Sequence, residues 1–210
     1  MSDVSRLGVP LAIGLGWTVE RPLAGGEFGA LLVERRGVHA VFKVMPKDAK
    51  SEWLEEALFV ASQLLETGYP LPRYFDAGTR DGHGYTVQEH VEGIPARRLT
   101  LSLVDQLVEL NDAQASLRYR TRLRPNRDGW DEVVASLTPM RADGHKLAVG
   151  QWKPAALLLA EARAAAAEHA GTLLQSDQAS HQDFHHGNVL AQDDRVIAII
   201  DWDGARWADA

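Results

Sequence analysis

The 210-residue chain carries 22 Lys plus Arg against 29 Asp plus Glu, and the resulting formal net charge of −7 disfavours nucleic acid as the main partner. With no cysteine, a disulfide framework, a thiolate nucleophile and a cysteine-based metal site are all excluded. A hydrophobic share of 45% supports a sizeable core, as one domain or as two small lobes sharing a cleft, and no apolar run approaches the roughly 20 residues of a membrane span.

The start, Met1-Ser2-Asp3-Val4-Ser5-Arg6, has no apolar stretch behind a basic one, so a soluble cytoplasmic protein with no membrane partner is expected. Up to Trp17 the residues form a lead-in with no assignable role. Val19 to Leu23 and Phe28 to Arg35 then read as two strands around Gly25-Gly26-Glu27-Phe28-Gly29. Gly25, Gly26 and Gly29 would let backbone N–H groups approach phosphates closely, as in a lid over a nucleotide, although a hairpin turn uses glycine for the same positive φ. Val41-Phe42-Lys43-Val44 gives the lid reading its weight. A lysine inside an apolar β-branched strand has little structural reason to be there unless it faces a cleft, where its ammonium would hold α- and β-phosphates.

From Ala49 to Glu66, apolar residues at Trp53, Leu54, Ala57, Leu58, Ala61, Leu64 and Leu65 recur at spacings of three and four, which predicts an amphipathic helix. Gly68-Tyr69-Pro70-Leu71-Pro72 ends it. Strands follow at Arg73 to Ala77 and Tyr85 to Val91, completing a small, mostly antiparallel lobe. A second amphipathic helix is expected from Thr100, its N-cap, to about Leu117. Arg118, Arg120, Arg122, Arg124 and Arg127 read as a solvated basic stretch, Trp130 to Leu137 as a short helix, and Pro154 to about Leu174 as a long alanine-rich one.

The chemistry concentrates at His181-Gln182-Asp183-Phe184-His185-His186-Gly187-Asn188-Val189-Leu190, followed by an apolar strand ending in Asp201-Trp202-Asp203. Transfer of a γ-phosphoryl group needs a carboxylate near the acceptor hydroxyl and oxygen ligands for Mg²⁺ across the phosphates. Asp183 would orient or deprotonate the hydroxyl, while Asn188 and Asp201 offer hard oxygen ligands to a metal carrying ATP or GTP. The Asp with an Asn five residues on matches the kinase catalytic-loop spacing. A rival reading makes His181, His185, His186 and Asp183 a hydrolase-type metal cluster. The strand that follows favours the kinase reading, with His181 bracing the loop.

This stretch is similar to the catalytic loop of aminoglycoside phosphotransferases and related small-molecule kinases, which share the protein-kinase-like fold. Asp201-Trp202-Asp203 resembles the Asp-x-Asp that follows in that family, where protein kinases have Asp-Phe-Gly. One departure is Gln182, where the family usually has Gly. The resemblance implies an α+β, two-lobed fold: residues 1–92 as an antiparallel-sheet nucleotide-binding lobe, and 93–210 as a mainly helical lobe with the catalytic loop. It further implies that a helical Glu pairs with Lys43, with Glu56 matching the position and Glu55 second. It also implies that the Glu89 carbonyl and the Val91 N–H bond adenine at a hinge over Gln88 to Gly93.

In that family the chain continues past the position of Ala210, and the further helices complete the acceptor pocket. A chain truncated at its C-terminus, or an open acceptor site, is therefore expected. The implied function is phosphotransfer to a hydroxyl of a small molecule such as an aminoglycoside antibiotic. Choline, homoserine, macrolides and a methylthio sugar remain as other acceptors of the superfamily, and a non-catalytic nucleotide-binding module as another class. Asp203 and Asp209 are expected to face a cationic acceptor.

Overall fold

The computed structural model describes residues 7–23, 29–45, 51–119, 153–168 and 177–208. Five strands form one antiparallel sheet: β1 (Thr18–Leu23), β2 (Ala30–Arg35), β3 (Val38–Val44), β4 (Tyr74–Arg80) and β5 (His83–Glu89), in the order β1-β2-β3-β5-β4. Strand alternation divides the side chains of β3 between two faces. Ala40, Phe42 and Val44 are buried with Tyr85 and Val87 of β5 in one core cluster. Lys43 points to the opposite face, directly across from Thr86, and Val41 lies across from Gln88. The lead-in is not idle: α1 (Val9–Gly14) buries Leu11 and Ala12 with Trp17 in the same cluster.

Helix α2 (Ser51–Glu66) takes its place because its apolar stripe, Ala57, Val60, Ala61 and Leu64, is buried at 2% exposure or less. Each fully buried Val or Leu there contributes about 1.5 to 3 kcal/mol of transfer free energy. The helix ends in a Schellman arrangement. Gly68, at φ +81°, lets the Tyr69 N–H reach the Leu64 carbonyl and the Gly68 N–H reach that of Leu65. Its buried stripe packs with Trp202, Ala205 and Trp207 from the far end of the chain, so this helix joins the two halves through one core cluster.

After the two-residue strand β6 (Ile94–Pro95), α3 (Leu101–Ser116) begins as the sequence predicts, with the Thr100 hydroxyl accepting from the Leu103 N–H at 3.3 Å. Helix α4 (Lys153–Glu168) matches the described part of the alanine-rich segment. The expected helix over 130–137, Arg120 to Arg127, and the rest of the long helix to Leu174 lie outside the described residues.

Strands β7 (Gln178–Ser180), β8 (Val189–Gln192), β9 (Arg195–Ile199) and β10 (Arg206–Ala208) frame the candidate site. Strand β7 pairs with β10, and β8 with both β6 and β9. Asp193 and Asp194, at φ +50° and +58°, close the β8–β9 hairpin in the left-handed conformation that two-residue turns demand. Gln106 of α3 holds this hairpin, accepting from the Val196 N–H at 3.0 Å and donating to the Asp194 carbonyl at 2.8 Å. Among the described residues no helix is long and apolar enough to cross a membrane.

Candidate phosphoryl-transfer site

His181 begins the loop that follows β7 and is fully buried, in edge contact with the Trp202 ring at 4.5 Å between centroids. Its Nε2 lies 2.9 Å from the Ile200 carbonyl and its Nδ1 accepts from the Asp183 N–H at 3.3 Å. Because a carbonyl only accepts and an amide N–H only donates, the ring is held as the neutral tautomer with its proton on Nε2. Burial also pushes its pKa below the ordinary histidine value. Both nitrogens are committed to backbone, so His181 braces the loop and takes no part in a histidine metal cluster.

Gln182 stands at φ +68°, the left-handed region where glycine is favoured. Its side chain offsets that strain: Nε2 donates to the Ser180 hydroxyl at 2.7 Å, and Oε1 accepts from Arg206 Nε at 2.8 Å.

The Asp183 carboxylate projects outward, with 64% of its side chain exposed. Asn188 Nδ2 donates both to its carbonyl and to its Oδ2 at 3.0 Å, and His185 Nε2 lies 3.5 Å from the same oxygen. His185 itself caps a 3₁₀ turn over His186–Asn188, its Nδ1 accepting from the Gly187 N–H at 2.9 Å. Gly187 is there because the backbone passes so close: a Cβ would fall 2.6 Å from His185 Cε1.

The Ile200 N–H donates to the Asn188 carbonyl at 2.8 Å, which sets the end of β9 beside the loop and brings Asp201 next to Asn188. Asp201 adopts φ +72° and ψ +46°. This left-handed turn sends Trp202 into the core, where its Nε1 donates to the Ile199 carbonyl at 2.9 Å. It leaves the Asp201 carboxylate facing β3. Lys43 Nζ donates to Asp201 Oδ1 at 2.6 Å and to Asp203 Oδ2 at 3.0 Å, and the other Asp203 oxygen accepts from the Tyr74 hydroxyl at 3.1 Å.

Burial opposes the Lys43 charge, but the carboxylates of Asp203 and Asp201 outweigh it and hold its pKa above the ordinary lysine value. Burial likewise opposes the Asp201 charge, and Lys43 more than compensates, drawing that pKa below the usual carboxylate value. Burial, reinforced by the neighbouring Asp203 charge, raises the Tyr74 phenol well above its usual range, so it stays a neutral donor.

Two expectations need correction. Glu56 does not pair with Lys43: its Oε1 accepts from the Trp207 N–H at 3.0 Å, tying α2 to β10, and Glu55 is exposed. Asp203 does not face an acceptor, because both its oxygens are taken by Lys43 and Tyr74 and only 17% of its side chain is exposed. The spacing of the motif carries no information about either partner, and nothing in the sequence marks Tyr74. Gly29 precedes β2 at φ +74°, as a glycine-dependent turn requires, while Gly25, Gly26 and Asp209 lie outside the described residues. Glu89 ends β5 with its N–H bonded to the Arg73 carbonyl at 2.7 Å, and Val91 lies in the irregular segment leading to β6.

The donor set at Asn188 and Asp201 is hard oxygen, amide and carboxylate, which fits a Mg²⁺-type ion. Among the described residues no cluster of three or more His, Cys, Asp or Glu side chains is arranged for a metal, which removes the hydrolase-type alternative there.

A family model described as the phosphotransferase enzyme family matches residues 19–210. Among solved structures, a thermostable mutant of aminoglycoside phosphotransferase APH(4)-Ia, in ternary complex with ADP and hygromycin B, is 18% identical with a TM-score of 0.60, the match covering 95% of this chain and 71% of that one. Aminoglycoside-3'-phosphotransferase of type VIII is 21% identical with a TM-score of 0.58, covering 97% and 79%. APH(3'')-Id from Streptomyces rimosus, in complex with ADP and streptomycin, is 20% identical with a TM-score of 0.52, covering 98% and 78%. No curated protein matches the chain. The structural likenesses establish the two-lobed, protein-kinase-like fold.

Proposed function

The chain belongs to the phosphotransferase enzyme family and is a small-molecule kinase, and we propose that it moves the γ-phosphoryl group of ATP or GTP to a hydroxyl of an aminoglycoside-type acceptor. The observation that carries this reading is the pairing of residues from three separate segments: Asn188 donates to Asp183, Lys43 donates to Asp201, and the Ile200 N–H, next to Asp201 in the chain, donates to the Asn188 carbonyl.

In this reading Asp183 accepts or orients the hydroxyl proton, and its exposure leaves room for the acceptor. Asn188, with its amide nitrogen given to Asp183, presents its oxygen to a metal, and Asp201 supplies the charged oxygen. Bound Mg²⁺ would neutralise charge developing on the transferred phosphoryl group. Lys43 holds the α- and β-phosphates, Gly25, Gly26 and Gly29 form the lid, and the backbone of Glu89 and Val91 holds the base. Residues 1–92 and 93–210 act as the two lobes around the nucleotide. An aminoglycoside fits the acidic net charge of −7.

The deciding experiment pairs a nucleotide-consumption screen of hydroxyl acceptors with the Asp183→Ala variant. Transfer to an aminoglycoside, falling about 10² to 10⁴-fold in the variant while nucleotide affinity is retained, is the expected result. Nucleotide binding without turnover on any acceptor would make the chain a binding module, and undiminished turnover in Asp183→Ala would remove the base assignment.

A further inference from the structure

We propose that Asp203, held by the phenol of Tyr74, is the carboxylate that positions Lys43 for the nucleotide phosphates, in the place expected of Glu56. This rests on the phosphotransferase reading of the site. A lysine that must hold phosphates needs a fixed carboxylate to aim its flexible stem, and that carboxylate must remain when the nucleotide arrives. Asp201 is a poor candidate, because in the phosphotransferase reading its oxygens would serve as the charged ligands for the metal. Glu56 is committed elsewhere, to the Trp207 N–H at 3.0 Å.

Asp203 is left, and its geometry is that of a held group. Its Oδ2 accepts from Lys43 at 3.0 Å, and its Oδ1 accepts from Tyr74 at 3.1 Å. Only 17% of its side chain is exposed. Tyr74 is itself fixed, as the first residue of β4 paired with Gln88 of β5, which in turn faces Val41 of β3. Tyr74 and the segment carrying Lys43 are therefore parts of one sheet, and Asp203 bridges them from the other lobe. With Asp201 holding a metal, the Tyr74–Asp203–Lys43 chain would keep the ammonium in place. Tyr74 is a positioning residue: its hydroxyl is given to Asp203, and it acts through that carboxylate.

The test measures dissociation constants for a non-hydrolysable Mg²⁺-nucleotide, by calorimetry, in the wild type and in Tyr74→Phe, Asp203→Asn, Glu56→Gln and the Tyr74→Phe/Asp203→Asn double variant. Removing the hydroxyl alone weakens binding about tenfold, the size of one charge-assisted hydrogen bond. Asp203→Asn weakens it at least as much, and the double variant is no worse than Asp203→Asn alone, since the phenol acts through that carboxylate. Glu56→Gln lowers the melting temperature and weakens nucleotide binding less than Tyr74→Phe does. Binding unchanged in Tyr74→Phe while the wild type binds overturns this proposal and leaves the kinase reading standing. A greater loss in Glu56→Gln than in Asp203→Asn returns the role to the helix and overturns it as well. A wild type that binds no Mg²⁺-nucleotide overturns both readings. Melting curves of the empty variants separate loss of fold from loss of positioning, and Asp203→Asn serves if Tyr74→Phe does not fold.

Discussion

Asn188 Nδ2 donates to both the carbonyl and the carboxylate of Asp183, each at 3.0 Å, so the proposed metal ligand also fixes the proposed base. Asn188→Ala removes both roles, and kcat is expected to fall about 10² to 10³-fold. Asn188→Asp keeps an oxygen ligand but sets a second carboxylate against Asp183. Like charges at that distance raise the pKa of one member, so the acid limb of the pH–rate profile moves to higher pH. An acid limb that stays where it is in Asn188→Asp would show that Asp183 does not govern it.

Asp201 separates from Asn188 by charge. Asp201→Ala is expected to weaken Mg²⁺-dependent nucleotide binding more than Asn188→Ala, since a carboxylate offers charge as well as an oxygen ligand. It also leaves Lys43 with Asp203 alone, its bond to Asp201 at 2.6 Å being lost. Titrating nucleotide with and without Mg²⁺ checks this. A metal dependence that survives in Asp201→Ala means that the strand-end carboxylate only orders Lys43.

Helices α2 and α3, the strands of the five-stranded sheet and β9 were legible because local periodicity dictates them, while α1 and the short strands β6, β7, β8 and β10 were not. Thr100 sits where a cap is needed, and the apolar spacing from Leu54 to Leu64 defines a buried stripe whatever it meets. The closeness of Asp183 and Asn188 was legible because their spacing is local, and the structure joins them by hydrogen bonds. What was not legible is which distant group meets each exposed-looking polar side chain. Glu56 on an amphipathic helix reads as a partner for a cation, yet its hydrogen bond runs to a backbone N–H 151 residues away. Tyr74 reads as an ordinary strand aromatic, and its hydroxyl bond to Asp203 spans 129 residues. Pattern fixes the face on which a residue lies, while tertiary packing chooses its partner.

Acid sensitivity follows from His181. Its folded pKa is lowered, so the unfolded chain binds the proton more readily than the native state, and stability rises with pH through that window. Unfolding should therefore become easier as pH falls below the ordinary histidine value of about 6.5. Protonating Nδ1 also breaks the bond from the Asp183 N–H, so the loop loosens as the fold weakens. Denaturant melts from pH 7.5 to 5 check this. His181→Leu should be less stable at pH 7.5, by about 1 to 3 kcal/mol for the unpaired Ile200 carbonyl, with a shallower slope toward acid. An equal slope in both proteins would place the acid sensitivity elsewhere.

Gln182 tests how the loop tolerates a side chain at a left-handed position. A residue with Cβ pays about 1 to 2 kcal/mol there, and the bonds to Ser180 and Arg206 offset part of it. Gln182→Ala keeps the strain and loses both bonds, so it should be destabilised by about 1 to 2 kcal/mol. Gln182→Gly loses the bonds but also the strain, and should lie within about 1 kcal/mol of the wild type. Thermal or urea melts rank the three proteins. Alanine more stable than glycine would mean that backbone strain at this position is unimportant.

The acceptor is approached through salt. With both Asp203 oxygens engaged by Lys43 and Tyr74, the exposed Asp183 and the net charge of −7 are left as sources of attraction for a polycationic acceptor among the described residues and the whole sequence, and ions screen both. The Debye length falls from about 10 Å at 0.1 M to about 3 Å at 1 M, which removes such attraction between exposed charges. KM for an aminoglycoside is therefore expected to rise severalfold across that range, with kcat changing less, while KM for a neutral hydroxyl acceptor stays nearly constant. Asp203→Asn should act on the nucleotide and leave the salt slope of the acceptor KM as it is. Steady-state assays of cationic and neutral acceptors side by side at several salt concentrations check all three statements. A salt-independent KM for every cationic acceptor, or preference for a neutral one, removes the aminoglycoside assignment and leaves the phosphoryl-transfer site in place.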